Sequence, residues 1–143
     1  MENGFDTAIL RFFADLNTPG WLDGMMIFWT DYIQQALIIL AIVLIFFKKT
    51  RKIGITGFLS VMISALMVEL VFKKIFVRVR PYDLYEWAKL IGDPSDTFSF
   101  PSGHSSAAFA IAMGFSYYAK QRWVKIASFA AAAITGFTRI YIS

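Results

Sequence analysis

The sequence predicts an all-α, polytopic membrane helical bundle, with about four main transmembrane helices and an N-terminal interfacial helix. Three observations carry that expectation. The 143 residues are 57% hydrophobic and 17% aromatic, too apolar for an ordinary soluble domain of this length. The apolar residues are gathered into runs of near-membrane length. The basic residues fall in short clusters between those runs, so the net charge of +4 suits a membrane protein better than a nucleic-acid binder. The absence of cysteine excludes a disulfide framework, a thiolate metal site and a cysteine nucleophile. The first 30 residues lack a basic start followed by an apolar stretch, so no cleaved signal peptide is expected. No repeat, low-complexity linker or second domain divides residues 1–143.

The elements follow in order. Residues 4–16, GFDTAILRFFADL, put Phe5, Ile9, Phe12, Phe13 and Leu16 at helical spacing, interrupted by Asp6, Arg11 and Asp15. The pattern fits an amphipathic helix on a membrane surface and fits a short core helix nearly as well. NTPGW (17–21) is a break. Residues 21–31 are aromatic and Met-rich and lie near the interface. Residues 32–47 form the first clear span, which rises only about 24 Å and needs a few preceding residues to cross. KKTRK (48–52) follows, then a second span at 53–77. Residues 78–103 are polar, contain Pro81, Pro94 and Pro101, and read as a loop. Residues 104–119 form a third span, KQRWVK (120–125) a basic turn, and residues 124–143 a fourth. The two basic turns share a side, which the positive-inside rule assigns to the cytoplasm; the N-terminus and the 78–103 loop then face outward. Ala108, Ala112 and Ser116, and Ser128, Ala132 and Gly136, repeat small residues four apart. That spacing suits close helix contact and equally suits plain alanine richness.

Several charges break the apolar pattern. Lys73 lies 20 residues past Ile53, roughly 30 Å across. Arg139 lies 15 residues past Val124, about 22 Å across. His104, the single histidine of the chain, starts the third span from the outer side. Arg80 follows the second span. Three segments thus bring Lys73, Arg80, His104 and Arg139 to one outer layer, against the positive-inside trend. An anion is the natural partner, because ionisable residues at membrane depth are functional candidates. Taken singly, each cation is equally compatible with snorkelling, which accounts well for Lys74. Ser102 and Gly103 stand where a helix begins, and free N–H groups and the helix dipole there suit a phosphate. The same residues are compatible with a plain N-cap by Ser102 or Ser105. Glu69 precedes Lys73 by four residues, the favourable order for holding it or for neutralising it.

Taken together, these residues match known motifs. KKIFVRVRP contains Lys-x6-Arg-Pro (Lys73, Arg80, Pro81). PSGH spans Pro101 to His104. TRIYIS is similar to the start of Ser-Arg-x5-His-x3-Asp, with Thr138 for Ser and Arg139 retained. In this the chain resembles the type 2 phosphatidic acid phosphatase superfamily, in its membrane-embedded bacterial branch, from about residue 20 onward. The resemblance implies a metal-independent phosphatase that needs no cofactor. Lys73, Arg80 and Arg139 would bind phosphate, Ser102 and Gly103 would cradle it, and His104 would protonate the leaving oxygen. It also implies a nucleophilic histidine oriented by an aspartate. Counted from Arg139, that histidine falls two residues past Ser143. The 143 residues therefore look like a phosphatase-like domain that is C-terminally incomplete.

The short chain and N-terminal interfacial segment resemble the undecaprenyl diphosphate phosphatases of that superfamily. The implied partners are a lipid phosphate or diphosphate and membrane lipids. Phosphatidylglycerol phosphate and phosphatidic acid are alternatives that share the motifs. Tyr82, Tyr85 and Trp87 shape the mouth of the site or anchor the loop at the interface. The competing reading is a non-catalytic relative that binds lipid phosphate or a membrane partner.

Overall fold

The computed structural model describes residues 4–88, 91 and 98–142, without the side chains of Phe5 and Asp6. Pro94 and the neighbouring part of the predicted loop lie outside the described residues, as does Ser143. The described residues form helices joined by short turns and one isolated antiparallel bridge.

Helix α1 is Gly4–Asp15. The Pro19-Gly20 step ends the break after it, with Pro19 extended at φ −67° and ψ 140°. The next helical run, α2, is Gly20–Phe46, and α3 is Arg51–Phe76; both are long and apolar enough to cross a membrane. The helical run therefore begins well before Tyr32, where the clear apolar stretch starts. Asp31 does not end it and lies within a π-helical turn, Trp29–Ile33. A second π-helical turn, Val68–Phe72, lies late in α3. The short helix α4, Pro81–Leu84, has Pro at its first position, where no N–H is needed. Helices α5, Gly103–Tyr118, and α6, Arg122–Ile142, follow.

The turn between α2 and α3 shows how the polar backbone is satisfied. Thr50 Oγ1 donates to Leu44 O at 3.1 Å and Arg51 Nε donates to Ile45 O at 3.2 Å. These bonds take up carbonyls at the end of α2, where a cation is also favoured by the helix dipole.

Glycines set the helix spacing. A Cβ on Gly54 would lie 2.6 Å from Ala41 O, so α2 and α3 touch backbone to backbone. A Cβ on Gly114 would lie 2.7 Å from Thr56 O and 2.8 Å from Gly57 Cα. Thr56 Oγ1 donates to Gly114 O across this contact at 2.8 Å. Helices α3 and α5 are thus pinned where neither carries a side chain. The pin sets a level at the other end. Glu69 lies 12 residues from Gly57 and Gly103 lies 11 from Gly114, each about 17 Å along its helix. The predicted small faces of α5 and α6 also meet, through buried Ala108, Ala112 and Ala132.

Bulk is distributed inside out. The buried residues include Ala, Gly, Ser and Thr, whereas Phe46 is 79% exposed and Trp123 is 70% exposed. Such a surface is the one a lipid-solvated bundle presents, because lipid gives large apolar side chains no reason to turn inward.

Gly114→Val should therefore push α3 and α5 apart and lower stability by about 1–3 kcal/mol. Gly24→Ala, where a Cβ meets nothing within 4 Å, should be neutral or slightly stabilising. Thermal unfolding of both variants in one detergent checks the pair.

Candidate active site

The first motif ends α3. Lys73 is buried, and its Nζ donates to Glu69 Oε1 one helical turn earlier. An unpaired ammonium in that position is costly, so the carboxylate holds the lysine and offsets its charge. Lys74 is exposed on the other side, as snorkelling requires. The chain then turns sharply at Val77, which adopts φ 41° and ψ 41°. This left-handed conformation is rare and strained for a β-branched residue. It ends α3 and redirects the chain so that Arg80 follows Lys73 without two further helical turns. Arg80 occupies the N-cap position of α4, half-buried, with its guanidinium 6.0 Å from the centroid of the Tyr82 ring.

The second motif is tied to the first by backbone. Ser99 N donates to Arg78 O at 2.8 Å, and Ser99 Oγ donates to Arg78 O at 3.1 Å and Val79 O at 3.2 Å. Arg78 and Phe100 form the antiparallel bridge. Pro101 follows Phe100 through a cis peptide bond. Ser102 is the N-cap of α5; its Oγ accepts from Ser105 N at 3.3 Å and from Ser105 Oγ at 3.1 Å. The plain-cap role of Ser102 is thus real, and it leaves the backbone at Gly103 and His104 at the helix mouth. A Cβ on Gly103 would meet only Glu69 Oε1, at 3.6 Å, among the described residues. Nothing among the described residues demands glycine there. Glu69 therefore stands between Lys73 and the start of α5, at the level the Gly57–Gly114 pin sets.

Arg139 supplies the third segment, half-buried near the end of α6. The charges that act on His104 are those of Arg139, Asp31, Lys73 and Arg80. Arg139 in turn feels Arg80 and Asp31. All four residues of the expected outer layer therefore share one neighbourhood, with Ser102 and Gly103 on the segment that carries His104. Pro81 and Pro101 flank it.

Four features escaped the sequence reading. Asp31 joins the cluster from α2. Tyr82 lies under the Arg80 guanidinium, which is 6.0 Å from its ring centroid. Ser99 joins the two motif segments. Thr138 is buried and accepts a hydrogen bond from Thr30 Oγ1 at 2.8 Å, while donating to Thr135 O at 2.8 Å. The Ser-to-Thr departure in the third motif is thus part of the α2–α6 contact. Asp31 carried a readable signal: it precedes Phe46 by 15 residues, about 22 Å, the same depth arithmetic that marked Arg139. Ser99 carried none, because nothing local distinguishes it from any loop serine.

The mouth of the site is framed by aromatic residues. Tyr85 and Trp87 stack at 4.8 Å, and Arg11 of α1 lies 5.0 Å from the Trp87 ring centroid. Ile91 donates its N–H to Ile142 O at 3.2 Å and packs with Tyr141, Phe13 and Met26.

The model of the PAP2 superfamily matches residues 54–143. The chain belongs to the PAP2 superfamily. The PAP2 match covers Glu69, Lys73, Arg80, Ser102, Gly103, His104 and Arg139; α1, α2 and Asp31 precede it. Among curated proteins the chain is similar to "Undecaprenyl-diphosphatase" of Sulfolobus acidocaldarius, with 27% identity over 144 residues, 97% of this chain and 66% of that protein. It is also similar to "Undecaprenyl-diphosphatase BcrC" of Bacillus subtilis, with 32% identity over 127 residues, 85% of this chain and 62% of that protein. The chain thus spans less than two thirds of the length of these relatives. No solved structure matches it.

If Glu69 offsets the buried Lys73 in this PAP2 chain, Glu69→Gln should lower stability by about 1 kcal/mol, the effect being screened because half of the Glu69 side chain is open. Adding Lys73→Met should recover most of that loss. Chemical unfolding of the single and double variants completes the cycle.

Proposed function

We propose that this chain is the phosphate-binding part of a membrane lipid phosphate or diphosphate phosphatase, and that its substrate class is the undecaprenyl diphosphate named for both relatives. The observation that carries the reading is that three separate segments bring Lys73, Arg80, His104 and Arg139 together. Cations in an apolar bundle repel one another, and a phosphate bound among them relieves that repulsion. The two guanidinium groups can pair with phosphate oxygens bidentately. Ser102 and Gly103 present the start of α5 to the same anion. The inside-out surface and the two membrane-length helices support a bundle crossing the bilayer about four times. The basic turns then face the cytoplasm and the site faces outward.

In the proposed reaction a nucleophile attacks phosphorus opposite the leaving oxygen. The bond from phosphorus to that oxygen breaks, and His104 gives the oxygen its proton. Lys73, Arg80 and Arg139 offset the charge spread over the three equatorial oxygens. His104 cannot also attack from the opposite side. By the resemblance of the third motif, the attacking group corresponds to a histidine two positions past Ser143. Water then cleaves the phosphorylated intermediate. The single histidine also supports a second reading, in which the 143-residue chain binds lipid phosphate without turning it over.

Cysteines replacing Lys49 and Leu84, both exposed, should label from opposite sides of the membrane. Labelling from one side would reject the proposed orientation. In a chain continued through the third motif, Arg139→Lys should lose turnover with the fold intact. There His104→Asn should slow release from an alkyl lipid phosphate by about 100-fold or more, and far less from an aryl phosphate, whose oxygen leaves without a proton. Equal losses on both substrates would refute the general-acid role.

A further inference from the structure

Helix α2 holds the third motif on both sides of Arg139. Before it, Thr138 accepts from Thr30 Oγ1 at 2.8 Å, and Thr135, one turn earlier, accepts from Trp29 Nε1 at 3.3 Å. After it, the Tyr141 hydroxyl donates to Asp23 Oδ1, a contact between residues 118 positions apart. Tyr141 is 6% exposed, and a phenol so buried needs a partner for its O–H. Asp23 is well placed to supply one. It lies in the first turn of α2, where the helix dipole favours a carboxylate. Thr18 Oγ1, in the break before the helix, donates to the same Oδ1 at 2.9 Å. An ionised carboxylate only accepts, so one oxygen gathers both hydroxyls. Phe13 of α1 packs edge-on against the Tyr141 ring, with 5.9 Å between centroids. The ring therefore has packing that does not need the hydroxyl.

These contacts bear on where Arg139 points. Residues three apart on a helix share a face. Thr135, Thr138 and Tyr141 follow that spacing, and all three meet α2. Gly136 faces α5: a Cβ there would lie 3.9 Å from Phe109 Cε2 and 4.0 Å from Ser105 Oγ. Arg139 follows Gly136 by three residues and so lies on the face toward the start of α5, the helix that Ser102 caps. The helix itself fixes the angle between the two faces. Holding Tyr141 therefore holds the rotation of the turn that carries Arg139. Bidentate pairing of a guanidinium with phosphate oxygens depends on its aim, and small misplacements at such groups are costly.

We propose that Asp23 and Tyr141 are a positioning pair of the phosphate site: by holding the Tyr141 hydroxyl, the Asp23 carboxylate aims the Arg139 guanidinium at an anion bound at the start of α5. The proposal rests on the phosphate-site reading. Both side chains act through Arg139, without touching phosphate themselves. Tyr141 lies within the PAP2 match and Asp23 before it, so the pair joins the matched segment to the helix that precedes it.

Binding of a short-chain prenyl diphosphate to the 143-residue protein in detergent micelles tests the pair. Occupancy is read from the NMR signals of His104, the single histidine. Wild type should bind, and Arg139→Lys should bind more weakly. Tyr141→Phe should raise the dissociation constant about tenfold, within the coupling range of residues in one network. Asp23→Ala should do the same, and Asp23→Asn, which keeps an acceptor oxygen, should recover most of that loss. The deciding variant is Tyr141→Phe in the Arg139→Lys background. No guanidinium is left to aim there, so the further loss should be under about twofold. An equal loss in both backgrounds would mean a purely structural contact and overturns the proposal. Should Tyr141→Phe not fold, Asp23→Ala takes its place in the cycle. Should neither fold, wild type decides: by linkage the bound diphosphate should slow hydrogen exchange at the Tyr141 amide, and unchanged exchange overturns the proposal. Binding weakened by Arg139→Lys but unchanged in Tyr141→Phe removes the proposal alone. A wild type that binds no diphosphate removes the phosphate-site reading and the proposal with it.

Discussion

Like charges held close together in an apolar surrounding repel strongly, and the arrangement around His104 is organised by that repulsion. Arg139, Arg80 and Lys73 all act on one ring. The fold reduces the cost in two ways. It supplies Glu69 in contact with Lys73, and it brings the acid of α2 to the same level. It also ties the segments that carry the cations to one another. The Gly57–Gly114 contact sets how α3 and α5 slide, Ser99 ties the stretch after α3 to the start of α5, and the threonines lock α2 on α6.

Rigidity here comes from small and polar residues. Ala108, Ala112 and Ala132 allow close approach of α5 and α6, while hydroxyls of Thr30, Thr56 and Thr138 bridge between helices. Large apolar side chains are left largely on the outside. A lipid surround makes this economical, because exposing phenylalanine costs nothing there and an unmatched hydroxyl does. The strained backbone at Val77 fits the same logic. A helix that simply continued would carry Arg80 about 10 Å farther along its axis than Lys73; the left-handed turn brings the chain back.

Much of this was legible beforehand because it depends on local pattern. Apolar runs and basic turns marked the long helices, and Ser102 before Gly103 marked the start of α5. Helical rise alone brought Lys73, His104 and Arg139 to one layer. What escaped depends on long-range contact. Gly57 and Gly114 look like ordinary membrane glycines until their helices are placed together. The Thr138 substitution read as a departure from a motif, because its partner lies in α2. Asp31 sat just before the clear apolar stretch, and nothing local showed that the helix passes through it.

The Thr30–Thr138 hydrogen bond joins residues 108 positions apart in the chain. A ribosome makes Thr30 long before Thr138 exists. During that interval α2 has no α6 to rest on, and its threonine hydroxyl must turn back to a carbonyl of its own helix, as serine and threonine readily do. The Thr30–Thr138 contact can therefore close only once α6 has been made. Until α6 arrives, Arg139 is missing from the charges around His104, and the α2 segment that carries Thr30 and Asp31 has no partner to dock on.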